Sequence, residues 1–176
     1  MIIYFLRHAS AGESVSNPKK DERRALDEIG VGQCGYVGRA LNALNVQVGA
    51  MISSPLKRAT QTASLVGNEL GYEGKLVLED ALRPTASFTE FRKMLDKYVR
   101  HEAIMVVGHN PNLSEFVGRS ISENGCEAVV ELKKAGVVKV ETRRNSAEMQ
   151  WCLTPKLLKT LHASSVESSR PKTSRK

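Results

Sequence analysis

The stretch IIYFLRHASAGE, residues 2–13, decides how this chain is read. Ile2 to Leu6 is short, apolar and without helical periodicity, the pattern of a strand buried on both faces. It runs directly into Arg7 and His8, a guanidinium and an imidazole. A buried strand ends on two such groups where something at its carboxyl end has to be bound. In an open parallel sheet the carboxyl ends of the strands share one edge, and ligands settle in the crevice there.

Two further strands end in a similar way. Ala103 to Val107 is a strong apolar run, followed by Gly108, His109, Asn110 and Pro111. Val48 to Ser53 passes through Ser54 and Pro55 into a helix reaching about Leu70, with Arg58 in its first turn. Pro55 suits the start of that helix and Gly71 its end. Three strand ends thus deliver Arg7, His8, Arg58 and His109 to one place. Two planar guanidiniums, two imidazoles and a helix N-terminus make a cradle for a phosphoryl group. Singly, each is an ordinary strand-end or helix-surface residue; the convergence makes the site.

The remaining pattern supports the same frame. Ala9 to Lys20 reads as loop. A helix capped by Asp27 runs to about Asn45, with Val37, Leu41 and Leu44 on one face. Leu76 to Leu78 is a short strand. Helices are expected over Phe88–Tyr98, with Phe91, Leu95 and Tyr98 on one side, and over Asn112–Ser120. Val129–Leu132, Val137–Glu141 and Met149–Leu153 read as shorter strands of an edge or hairpin, and Pro155–Leu161 as a short helix. Strands alternating with helices predict an α/β three-layer sandwich, a mostly parallel central sheet with helices on both faces. No internal repeat occurs.

A length of 176 residues suits one domain with a buried core. The domain is expected over residues 1–162 and a basic, disordered tail over 163–176. Within that tail Arg170, Lys172, Arg175 and Lys176 face only Glu167. No apolar run approaches a membrane span. Met1 to Leu6 lacks the basic leader of a signal peptide, so the expected location is the cytoplasm, without a membrane partner. A formal charge of +7 favours anionic partners and names none. The basic tail lacks interleaved aromatic residues, which argues against nucleic acid as the partner. Nothing in the sequence specifies an oligomeric state.

Cys34, Cys126 and Cys152 are odd in number and form no C-x-x-C pair, so they suggest neither disulfides nor zinc. The residues six places after them are Ala40, Leu132 and Leu158, not the arginine a cysteine phosphatase needs. All three are expected in the core. His101, His162 and Trp151 read as structural or surface residues. Gly30-Val31-Gly32-Gln33-Cys34-Gly35 matches G-x-G-x-x-G, but "DERRALDEI" before it is charged and helix-like, whereas a dinucleotide fingerprint follows a strand. Gly32, Gly35 and Gly38 are instead expected to give the helix a smooth face for close approach to the sheet.

"LRHA", "SSPLKRATQTA" and "VGHNPNLSEFV", in that order, resemble the motifs of the histidine phosphatase (phosphoglycerate mutase-like) superfamily. Ala9 stands where the family usually has Gly. The compact length and "DERRALDEIG" resemble its small branch, the SixA-type phosphohistidine phosphatases. The resemblance spans about Met1 to Thr160 and implies the phosphoglycerate mutase-like fold. It also implies that His8 is the nucleophile, that Arg7 and Arg58 hold phosphoryl oxygens, and that His109 hydrogen-bonds the same group. Arg24 matches an arginine of the small branch and implies a further substrate contact. No cofactor or metal is implied, and no cluster of carboxylates stands ready to hold one.

Larger members of the family carry an acid after the third strand to protonate the leaving oxygen. Here that region reads "LEDALRPTAS", with Glu79 and Asp80 nearby but Arg83-Pro84 following. Without an acid, alkoxide leaving groups depart slowly, whereas an imidazole leaves readily near neutral pH. The expected activity is therefore a metal-independent phosphatase acting on phosphohistidine in proteins, with a role in signal transduction. Two alternatives stand beside it. One is a phosphomonoesterase or mutase on a small phosphorylated metabolite, with Glu79 or Asp80 as acid. The other is a weakly catalytic phosphate-binding module.

Overall fold

The computed structural model describes residues 1–122, 128–144 and 146–168, the last four of them by backbone alone. Six strands form one sheet in the order β3-β2-β4-β1-β5-β6. They are β1 (Ile2–Arg7), β2 (Ala50–Ser53), β3 (Leu76–Leu78), β4 (Ala103–Gly108), β5 (Val137–Thr142) and β6 (Ala147–Leu153). β3, β2, β4 and β1 pair in parallel, and β5 and β6 join antiparallel at the β1 edge. The helices are α1 (Pro18–Glu22), α2 (Glu28–Ala43), α3 (Lys57–Glu69), α4 (Phe88–Asp96), α5 (Asn112–Ile121) and α6 (Pro155–Ser168). This is the expected α/β sandwich with a mostly parallel sheet.

Strand alternation builds the two cores. Ile3, Phe5, Ile52, Ile104, Val106, Val138 and Val140 point to one face, where Phe91 of α4 and Phe116 of α5 cover them. Tyr4, Leu6, Met51, Met105, Val107 and Val137 point to the other, under Val37 and Leu41 of α2 and Ala63 and Val66 of α3. Because both faces are covered, the central strands show continuous apolar runs rather than alternation. Phe91 and Phe116 stack at 4.7 Å between ring centroids.

Several expectations need correction. Val129–Leu132 is not a strand. The Leu132 carbonyl is taken by Arg7 (Nη1, 2.8 Å) and Asn110 (Nδ2, 2.9 Å), and its N–H by Ser114 Oγ (3.1 Å), so polar side chains replace a ladder there. Leu44 falls past the end of α2 and is exposed, leaving the apolar face it was assigned to. α6 runs to Ser168, because no Gly or Pro interrupts it, so residues 163–168 of the expected tail are helical. Residues 169–176 lie outside the described residues, as does Cys126. Cys34 is buried as expected, whereas Cys152 is exposed, lying on the edge strand β6. His162 packs edge-on against Tyr36, and Trp151 lies 5.8 Å from Tyr4.

The glycines of α2 serve different neighbours from those expected. Gly32 faces open space, and a Cβ on Gly38 would stand 2.5 Å from Glu69 Cβ of α3. The close approach is therefore helix to helix rather than helix to sheet. Among the described residues no helix is long and apolar enough to cross a membrane.

Candidate active site

The parallel register aligns the carboxyl ends of the central strands. Arg7 pairs with Gly108, and Ser53 pairs with Val107. His8, Ser54 and His109 follow within a residue or two, held level by His8 N–H to Gly108 O (3.0 Å) and Ser54 N–H to Val107 O (2.9 Å). Arg58 enters from the first turn of α3 and is buried. All four expected residues, Arg7, His8, Arg58 and His109, line one open cleft of about 330 Å³, and Arg24 lines it with them.

The two imidazoles are neutral. His8 and His109 are nearly buried, with 7% and 2% of their surface exposed. Burial pushes the His8 pKa down to about 4, opposed by its bond to Ala9 and aided by the individually smaller effects of the Arg58, Arg7 and Arg24 charges. His109 lies well below its ordinary value through burial first, then His8 and the same three arginines. His8 Nδ1 lies 2.8 Å from the Ala9 carbonyl. A carbonyl only accepts, so Nδ1 carries the proton and Nε2 keeps its lone pair. His109 Nε2 meets Ser54 Oγ at 2.8 Å.

Each guanidinium is tethered at one corner and left open elsewhere. Arg7 Nη1 donates to the Leu132 carbonyl. Arg58 Nη1 donates to the Asp21 carbonyl at 2.9 Å and to its carboxylate at 3.0 Å. Arg7 Nε, Arg58 Nε and His109 Nδ1 are buried without a hydrogen-bond partner. Burial lowers the pKa of both arginines, a desolvation that an incoming anion would relieve.

Asp21 is a site residue that the sequence pattern did not disclose. It binds Arg58 and, through Oδ1 at 2.9 Å, Arg24 Nε. Arg24 Nη1 also donates to the carbonyls of Ala11 (2.8 Å) and Gly12 (3.1 Å), so its guanidinium braces the loop after His8. Desolvation alone would raise the Asp21 carboxyl, but the Arg24 hydrogen bond and the Arg58 charge outweigh it and hold the pKa low. Lys134 and Asn110 also line the cleft unanticipated. A charged α1 and a Leu-Lys-Lys loop carry no periodic signal that would have found them.

Neither acid near the third strand lines the cleft. Glu79 binds Lys97 Nζ at 2.7 Å, and Asp80 binds Arg83 Nε at 2.5 Å. Pro84 of "LRP" lines the cleft. Cys34 is no rival nucleophile, since burial pushes its thiol up to about 11. No group of three or more His, Cys, Asp or Glu able to hold a metal occurs among the described residues.

Residues 3–103 match the family model of the histidine phosphatase superfamily (branch 1), and the chain belongs to that superfamily. An uncharacterized protein of Picosynechococcus is 30% identical over 141 residues, 78% of this chain and 83% of that protein. Among solved structures, the protein histidine phosphatase SixA complexed with tungstate superposes with a TM-score of 0.81 at 19% identity, covering 90% of this chain and 99% of that one. The alpha-ribazole phosphatase of Shigella flexneri superposes at 0.69 with 14% identity, over 88% of this chain and 97% of that one. Phosphoglycerate mutase of Bacillus anthracis superposes at 0.70 with 15% identity, over 90% and 95%. At these identities the superpositions establish a shared fold.

Proposed function

We propose that this protein hydrolyses phosphohistidine in proteins through a phosphohistidine intermediate of its own on His8, without a metal ion. His8 Nε2 attacks the phosphorus, and its new N–P bond forms as the bond to the leaving imidazole breaks. That imidazole departs neutral, because its distal nitrogen takes a proton from solvent. Arg7 and Arg58 hold the equatorial oxygens, and His109 donates a hydrogen bond to the same group. Such transfer relies on positioning and charge stabilisation. Water then attacks the phosphorus as the His8 N–P bond breaks. Its surplus proton passes to solvent, leaving inorganic phosphate and neutral His8. Arg24 and Lys134 complete the cationic surround.

One observation carries the choice of substrate. The only carboxylate among the described residues lining the cleft, Asp21, is engaged by Arg58 and Arg24 and held ionised. An alkoxide leaving group would find no proton donor in the cleft, while an imidazole takes its proton from solvent at the distal nitrogen, which titrates near neutral pH. The likeness in fold to a protein histidine phosphatase is consistent with this. The likeness to an alpha-ribazole phosphatase and a mutase keeps small-metabolite phosphates as the reading to test against it.

The experiment compares turnover of a phosphohistidine-bearing protein and of an alkyl phosphate by wild type and by His8→Ala. Preference for the phosphohistidine protein, lost in His8→Ala, is the expected result. Preference for the alkyl ester would favour the phosphomonoesterase reading. Phosphate binding without turnover would favour a binding module.

A further inference from the structure

The glycine-rich start of α2, which mimics a dinucleotide fingerprint, grips the loop that follows His8. Gln33 Oε1 accepts the Ser10 N–H at 2.9 Å. Asp27 Oδ2 accepts the Ser10 hydroxyl and the Gly12 N–H, each at 2.8 Å, and the Asp27 N–H donates to the Ser10 carbonyl at 3.2 Å. Gly30 lets the helix approach, since a Cβ there would stand 2.0 Å from the Ser10 carbonyl oxygen. Four polar contacts and one close approach thus bind a span of three residues.

The amide that Gln33 holds belongs to the peptide unit whose carbonyl is that of Ala9. That same carbonyl takes the proton on His8 Nδ1 at 2.8 Å. The preceding amide, Ala9 N–H, is held by Thr62 Oγ1 at 3.0 Å, and Thr62 in turn donates to the Arg58 carbonyl at 2.7 Å. A neutral imidazole has two tautomers, and only the one with Nδ1–H exposes a lone pair on Nε2. The orientation of one peptide plane therefore decides which nitrogen of His8 is free to react.

We propose that Gln33, supported by Asp27 and Gly30, is a positioning residue that turns the Ala9–Ser10 peptide so that its carbonyl locks His8 in the Nδ1–H tautomer. The inference rests on His8 as nucleophile. Its central claim concerns a tautomer, however, which is observable without substrate.

The test uses the full chain, 15N-labelled, with long-range 1H–15N correlations of the His8 ring. Wild type is expected to show the Nδ1–H tautomer alone. Gln33→Leu is expected to show a mixture of tautomers. Its kcat on a phosphohistidine-bearing protein should fall about 10- to 100-fold, with KM changed little, the scale of loss that misplacing a reactive group produces. Gln33→Glu keeps an acceptor and should restore the single tautomer. Should Gln33→Leu fail to fold, Gln33→Asn, polar but one methylene shorter, serves in its place. A lone Nδ1–H tautomer with wild-type kcat in the folded variant would overturn the proposal. Full activity of His8→Ala would instead overturn the nucleophile reading while leaving the tautomer result to stand separately.

Discussion

The imidazole rings of His8 and His109 stand 4.9 Å apart, centroid to centroid, with planes inclined at 51°. They come from strands adjacent in the sheet and remote in the chain. Such a pair tolerates two neutral rings among cationic side chains but not two imidazolium ions. Protons are kept off both rings by burial and by Arg58, Arg7 and Arg24.

With His8 at about 4, the free enzyme keeps its nucleophile far below the ordinary imidazole range. The acid limb of kcat/KM, after the substrate's own ionisation is divided out, should fall near pH 4. A limb near 6.5 would mean a solvent-like His8. Stability follows the same shifts. Both histidines have pKa values lower folded than unfolded, so the unfolded chain binds more protons once the pH drops below about 6.5. Stability should be unaffected by these groups above that pH and should decline as pH falls toward 4, as urea titrations would record.

His8→Ala should lower kcat/KM by at least ~10³-fold, the scale of removing a nucleophile, and should abolish acid-labile phosphate on the enzyme in quench experiments. Arg58→Ala should cost about 10²–10³-fold, like removal of one preorganised donor to a developing charge. Arg58→Lys should recover little, because a point charge cannot hold Asp21 with one corner and a phosphoryl group with another.

Asp21→Ala should weaken catalysis through its partners. It frees Arg58 and Arg24 from their shared carboxylate, and the expected loss in kcat/KM is about tenfold or more, with a higher KM. Because Arg58 is buried, losing its charged partner should also destabilise the fold by about 1–3 kcal/mol, the usual cost of stranding such a group. Steady-state kinetics and denaturant titration read the two effects separately. Unchanged kinetics would show that Arg58 needs no tether.

The α2 glycines offer a paired stability test. Gly38→Ala would drive a methyl to 2.5 Å from Glu69 Cβ and should cost about 1–3 kcal/mol through overpacking. Gly32→Ala meets open space and should stabilise by roughly 0.5–1 kcal/mol, the helix propensity difference. Thermal melts of the two variants should shift in opposite directions.

The sequence by itself determined the parallel core and the four residues at its carboxyl edge. β1, β2 and β4 are apolar runs whose period and punctuation are local, and Arg7, His8 and His109 stand at or directly after their ends. Asp27 as a cap and Gly71 as a terminator were legible for the same reason. Tertiary structure alone decided what those residues bind. Asp21 reaches Arg58 across the cleft, Ser54 meets His109, and Leu132 leaves its expected strand to offer a carbonyl to Arg7 and Asn110. A hydrogen bond between remote segments leaves no period in the chain; it depends on where the packed layers bring loops together, so no local pattern encodes it.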